Sequence, residues 1–146
     1  MKHECSILVV EDVPENVLIL REALRQCAVP CAVVIAENGA VAMKKIADFQ
    51  AENALPDLVL LDLNLPEISG QEILRALKDD PQLRTIPVIV LSGSTSQDEI
   101  DSVYRLHANA YVVKPDRLAD FQKFAASLGN FWLSVATLPS VNGRHQ

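Results

Sequence analysis

The segment "LLDLNLPEISG", Leu60 to Gly70, ends an apolar run on an aspartate and continues into loop residues. No basic residue in that stretch is placed to neutralise Asp62. Three further apolar runs end on groups capable of chemistry: Ile7–Val10 on Glu11-Asp12, Ile86–Leu91 on Ser92-Gly93, and Ala110–Val113 on Lys114-Pro115. Crowded carboxylates repel one another unless a cation sits among them. Hard oxygen ligands with few protein donors suit Mg²⁺, which keeps several waters, and Mn²⁺ is an acceptable substitute. The set therefore fits phosphoryl transfer to a carboxylate. Asp62 is the candidate nucleophile, with the cation held by Asp12 with help from Glu11. Lys114 and the Ser92 hydroxyl are placed to hold the remaining phosphoryl oxygens. Gly93 leaves room for a phosphate to approach backbone N–H groups.

Each residue also has a plainer reading. Asp12 suits the cap of a helix starting near Pro14, and Asp62 suits a turn. Ser92 suits a structural role, and Lys114 a solvated strand end. What distinguishes the set is its recurrence at strand exits, so the elements that position it matter.

Apolar periodicity alternates regularly along the chain. Strands are expected at Ser6–Val10, Cys31–Ala36, Leu58–Leu61, Ile86–Leu91 and Ala110–Val113. Helices are expected at Pro14–Cys27, Asn38–Phe49, Gly70–Lys78, Thr95–Leu106 (capped by Ser94 or Thr95) and Asp116 to about Ala136. Five β-α units with continuously apolar strands imply an α/β fold: a doubly wound, parallel five-stranded sheet covered on both faces. In such sheets ligands bind beyond the carboxyl ends of the strands. Strand order 2-1-3-4-5 gathers the exits of strands 1, 3, 4 and 5 in one crevice, whereas the second exit, Glu37-Asn38-Gly39, looks like a plain turn.

At 146 residues the chain is expected to be one domain, 1–146, with a core of about 6–128 and an extension of about 129–146. Its net charge of −6 argues against nucleic acid, which needs clustered Lys and Arg. The apolar run Ile7–Val10 is cut off by Glu11-Asp12, too short for a signal peptide, and no stretch reads as a membrane span. Cys5, Cys27 and Cys31 are odd in number and lack metal-ligand spacing. They read as reduced, mostly buried thiols of a cytoplasmic protein.

The segments "ILVVED", "AENGAVAM", "PDLVLLDLNLPEISG", "IPVIVLSGS" and "ANAYVVKP" occur in this order over about Ser6 to Lys123. Together they closely resemble the receiver domain of two-component response regulators, the flavodoxin-like fold of the chemotaxis response regulator. The resemblance implies that Asp62 accepts a phosphoryl group from a phosphohistidine of a sensor kinase. It implies that Glu11 and Asp12 are the acidic pair and that Asn64 offers a backbone carbonyl to the metal. It further implies that Ser92 is the switch hydroxyl, Lys114 the family's lysine and Tyr111 the switch aromatic. The Lys114-Pro115 bond is then a candidate for cis. Asp116 departs from the family, where an apolar residue often follows the Lys-Pro pair. Ser94, two residues past Ser92, is placed to tune dephosphorylation. The chain is then no enzyme in the ordinary sense, only a phosphoacceptor with self-phosphorylation and self-dephosphorylation chemistry.

Beyond the last helix only a short tail remains, so output is expected through partner contacts of the domain itself. Leu118, Phe121, Ala125, Leu128, Trp132 and Val135 follow a 3-4-3-4-3 spacing, a coiled-coil-like seam widened by Phe124 and Phe131. Phe121, Phe124, Leu128, Phe131 and Trp132 are accordingly the candidate dimer face, unless this face covers the protein's own core. Gly129-Asn130 is a candidate break in the helix. "FWLSVATLP", Phe131–Pro139, resembles the C-terminal segment of small regulators that partner phytochrome-type histidine kinases and tend to be homodimers through this helix.

Three rival readings share parts of this pattern. A flavodoxin-like ligand-binding module has the fold, but "EDVPEN" is acidic where a flavin phosphate needs N–H donors. A haloacid-dehalogenase-like phosphatase needs a second aspartate where Asn64 stands. A receiver-like scaffold independent of phosphorylation has no need of the intact acidic set.

Overall fold

A computed structural model describes residues 5–27 and 30–139. Its elements are β1 (Cys5–Val10), α1 (Pro14–Arg25), β2 (Cys31–Ala36), α2 (Gly39–Ala51), β3 (Leu58–Asp62), α3 (Gly70–Asp79), β4 (Val88–Ser92), α4 (Gln97–Arg105), β5 (Ala110–Val113) and α5 (Leu118–Asn130). All paired strands are parallel, in the order β2-β1-β3-β4-β5. This is the expected doubly wound sheet.

Successive strand side chains point to opposite faces, so each apolar strand serves two cores. Ile7, Val9, Leu58, Leu60, Ile89 and Leu91 pack with α1 and α5 through Leu20, Leu24, Phe121 and Leu128. Leu8, Val10, Val59, Leu61, Val88 and Val90 pack with α2, α3 and α4 through Ile46, Leu74, Leu77 and Val103. That double coverage is why the strands read as continuous rather than alternating.

Helix starts follow local capping chemistry. Asn38 accepts from Val41 N–H at the start of α2. Ser69 and Glu72 form a reciprocal capping box on α3. α4 is capped by Ser96, not by Ser94 or Thr95, and is correspondingly shorter at that end. β4 starts at Val88 rather than Ile86 because Pro87 has no N–H to give a ladder. Gly70 is required for space. A Cβ there would lie 2.5 Å from the Asp62 carbonyl oxygen and 2.6 Å from Leu63 Cα, so α3 begins pressed against the exit of β3.

Three expectations are corrected. Cys5 and Cys31 are register partners on β1 and β2, 4.5 Å apart at Cα, and form a disulfide. Sequence spacing does not reveal which cysteines face each other across parallel strands. Cys27 alone remains a free thiol, half-buried, donating to the Ala23 carbonyl. The Lys114-Pro115 bond is trans, as are all peptide bonds among the described residues. The last helical run, Leu118–Val135, ends close to the expected Ala136, but it is not α-helical throughout: the α-helix ends at Asn130 and passes without a break into a π-helical turn, Phe131–Val135. Gly129 does not break the helix. It is buried, and a Cβ there would lie 2.7 Å from Cys27 Sγ and 3.1 Å from Leu24 Cδ2, so it allows α5 to close on α1. The loose tail expected from Pro139 onward lies, beyond Pro139 itself, outside the described residues.

Candidate functional site

Register brings the polar exits together. Val10 pairs with Leu61, so Glu11 and Asp62 follow side by side on β1 and β3. Asp62 pairs with Leu91, which places Ser92 one residue beyond on β4. Ser92 pairs with Val113, and Lys114 N–H donates to the Ser92 carbonyl at 2.7 Å. All four polar exits expected to meet therefore lie along one edge, and the exit of β2 is used differently, as the α2 cap.

The carboxylates converge. One oxygen each from Glu11, Asp12 and Asp62 lies within 4.8 Å of the others. Glu11 is fully buried, Asp62 nearly so, and Asp12 partly so. Lys114 Nζ donates to Glu11 Oε1 at 2.9 Å and to Asp62 Oδ2 at 3.3 Å. Val13 N–H donates to Glu11 Oε2 and Asn64 N–H to Asp62 Oδ1, both at 3.1 Å. Asp12 does not cap α1: the cap position is Val13, with no side-chain bond. Asp62 does make a turn bond to Asn64, so its plainer reading and its chemical one coexist.

Burial, and next the charge of Glu11, push the Asp62 carboxyl up to about 6. Lys114 and the Asn64 N–H pull it back only in part. Burial works against the Lys114 ammonium, but the two carboxylates outweigh it and hold its pKa above the ordinary value. Three carboxylates face one ammonium, and this excess of negative charge in a hard-oxygen set fits a small divalent cation. The cluster is the one group of three metal-capable side chains among the described residues.

Ser92 points elsewhere. Its buried hydroxyl donates to Glu99 Oε2 at 2.8 Å and accepts from Ser94 N–H at 3.2 Å. The Tyr111 hydroxyl lies 2.8 Å from the Ser94 carbonyl and 3.0 Å from the same Glu99 oxygen. Glu99 was invisible to sequence reading because it fills the last place of an ordinary S-x-x-E capping pattern. A Cβ built on Gly93 meets nothing within 4 Å, so the space over the exit of β4 is open. Asp116 and the Asn64 side chain are exposed.

The candidate dimer face divides. Phe121 and Leu128 are buried in the chain's own core, against the expectation that they face a partner. Phe124 stacks on Phe121 at 5.4 Å and, like Trp132, is partly buried against the same core. Phe131 is half-exposed, and Leu118 and Val135 are 63% and 70% exposed.

Residues 7–125 match the response regulator receiver domain. The chain belongs to that family. As a receiver it is 37% identical over 136 residues to response regulator Rcp1 of Synechocystis sp., with 92% of each chain covered. Its fold superposes on the phosphorylated cyanobacterial phytochrome response regulator RcpA with a TM-score of 0.88 at 41% identity, covering 94% of this chain and 100% of that one. The Mn(2+)-bound form of Rcp1 gives 0.84 at 34% identity, covering 93% and 99%. Membership sets aside the flavin-binding and phosphatase readings. No helix among the described residues is long and apolar enough to cross a membrane.

Proposed function

We propose that this receiver takes a phosphoryl group on Asp62 from a phosphohistidine of a sensor histidine kinase. A phytochrome-type kinase is the partner class, since RcpA is a phytochrome response regulator. In the transfer, a carboxylate oxygen of Asp62 forms a bond to phosphorus as the phosphorus–nitrogen bond to the histidine breaks. The imidazole nitrogen leaves with the electron pair. Asp62 Oδ2 faces the Lys114 ammonium, while Oδ1 is fixed by Asn64 N–H, which holds the carboxylate in one orientation for in-line attack. Lys114 already spans Glu11 and Asp62 and is placed to receive a phosphoryl oxygen. Glu11, Asp12, Asp62 and the Asn64 carbonyl would hold Mg²⁺ or Mn²⁺, which supplies neutralisation of the phosphoryl charge when bound.

The observation that carries this reading is the convergence of Glu11, Asp12 and Lys114 on Asp62 at the exit of β3. Self-dephosphorylation follows from the same site by attack of water on phosphorus. Output runs through altered protein contacts in the cytoplasm, including a homodimer built on the last helix and the turn after it. The test is intact mass after incubation with acetyl phosphate and Mg²⁺. Wild type should gain one phosphoryl group and Asp62→Asn none. No gain in wild type, with acetyl phosphate or with cognate kinases, would leave a phosphorylation-independent binding scaffold.

A further inference from the structure

The start of α4 departs from its own local rule. Two helices begin with the same S-x-x-E pattern: Ser69 to Glu72 on α3 and Ser96 to Glu99 on α4. In both, the serine hydroxyl accepts from the glutamate N–H. On α3 the reciprocal bond forms as well, Ser69 N–H donating to Glu72 Oε1 at 3.2 Å. On α4 the Ser96 N–H donates instead to the Ser94 hydroxyl at 3.0 Å. The carboxylate of Glu99 has turned away from the cap, and its Oε2 meets both the Ser92 and the Tyr111 hydroxyls, at 2.8 and 3.0 Å.

The consequence follows from proton counting. A serine hydroxyl carries one donor proton. In this structure Ser92 gives it to a carboxylate, a charge-assisted bond of the stronger class. A phosphoryl group on Asp62 carries acceptor oxygens only, so Ser92 reaches it as a donor only by releasing Glu99. Release leaves the Glu99 carboxylate, partly buried, with Tyr111 as its remaining hydroxyl partner. α4 is held by few contacts: Val103 is its one buried side chain, Ser102 accepts from Gln71 of α3, and the Tyr104 hydroxyl accepts from Tyr111 N–H.

We infer that Glu99 is the positioning residue of the unphosphorylated state, a latch that competes with the phosphoryl group for the Ser92 proton and couples its release to Tyr111 and the start of α4. This rests on Asp62 being the phosphoacceptor. Glu99 touches neither Asp62 nor a transferred group; it acts through Ser92. Replacing its charge with a neutral amide of the same shape weakens the hold on Ser92 and leaves the Ser96 cap in place.

The test is a double-mutant cycle on the rate of phosphorylation by acetyl phosphate with Mg²⁺, followed by intact mass, for wild type, Glu99→Gln, Ser92→Ala and the double variant. Glu99→Gln should be phosphorylated roughly 3- to 10-fold faster than wild type, the difference between a charged and a neutral acceptor. On the Ser92→Ala background the same substitution should change the rate less than about 2-fold, because the proton in contention is gone. Glu99→Asp, one methylene shorter, should also be faster than wild type if reach to Ser92 is what matters. Equal rates for wild type and Glu99→Gln, or the same acceleration on both backgrounds, would overturn the latch while leaving Asp62 as acceptor. Absence of any mass gain in wild type, with acetyl phosphate and with cognate kinases alike, would overturn the acceptor reading, and the latch with it.

Discussion

Lys114, at the exit of β5, donates to Asp62 at the exit of β3 across 3.3 Å, with the β4 exit between them in the sheet. The same ammonium reaches Glu11 at the exit of β1 at 2.9 Å, so one side chain from the sheet edge ties the exits of three strands together. The Lys114 side chain is 14% exposed, and its partners are buried. Lys114→Met therefore leaves two buried carboxylates without a counter-ion, each keeping only a backbone N–H donor. The metal-free protein should lose on the order of 2 kcal/mol, less than for a fully fixed buried pair because Asp62 can take up a proton. Urea denaturation in EDTA measures this, and saturating Mg²⁺ should restore part of the loss.

Asp62 makes stability pH-dependent in a definite direction. Its folded-state value of about 6 lies above the ordinary 3.8, so the folded state binds this proton more tightly than the unfolded state. Below about pH 4 both states are protonated and the group has no effect. Between about pH 4 and pH 6 the unfolded state gives up this proton while the folded state keeps it, so stability falls as pH rises, by roughly 2–3 kcal/mol once pH is above 6 and the folded state holds the buried charge. Metal-free Asp62→Asn should be more stable than wild type at pH 7, with the gap shrinking towards pH 4. A mutant less stable than wild type at pH 7 in EDTA would contradict the crowded-acid picture.

Gly70→Ala tests the seat of Asp62. The added methyl would meet the Asp62 carbonyl and Leu63 Cα, both backbone, so β3's exit or α3 must shift. A loss of about 1–3 kcal/mol is expected from overpacking, together with slower phosphorylation by acetyl phosphate. Gly93→Ala, with open space around it, should change stability little.

The Cys5–Cys31 disulfide closes a sequence separation of 26 at the edge strand β2. Cys5→Ser with Cys31→Ser should lower unfolding stability by about 3 kcal/mol on the chain-entropy account. Wild type measured with and without dithiothreitol should show the same difference. An unchanged melting curve under reductant would show that the bond is not formed in solution.

Phe131, Leu118 and Val135 are exposed apolar side chains at and after α5. If they join two copies, Phe131→Ser with Val135→Glu should give a monomer by sedimentation while leaving unfolding stability within about 0.5 kcal/mol, as for other surface changes. Phe121→Ala should instead cost about 3 kcal/mol or more, since Phe121 is core.

Much of this protein was legible one segment at a time. Apolar runs, their polar exits, capping residues and the β-α alternation depend on neighbours within a few positions, and period sets which face each side chain takes. Glu11, Asp12, Asp62, Ser92 and Lys114 could be singled out because each stands where such a run stops. Tertiary structure decided the rest, because contacts between distant segments depend on register and helix placement. It paired Cys5 with Cys31, drew Phe121 and Leu128 into the core, kept Lys114-Pro115 trans and ended α5 in a π-helical turn. It also turned Glu99 away from a locally satisfactory cap. In sequence Glu99 matches Glu72, and only the arrival of β4 and β5 beside α4 supplies the two hydroxyls that draw its carboxylate inward.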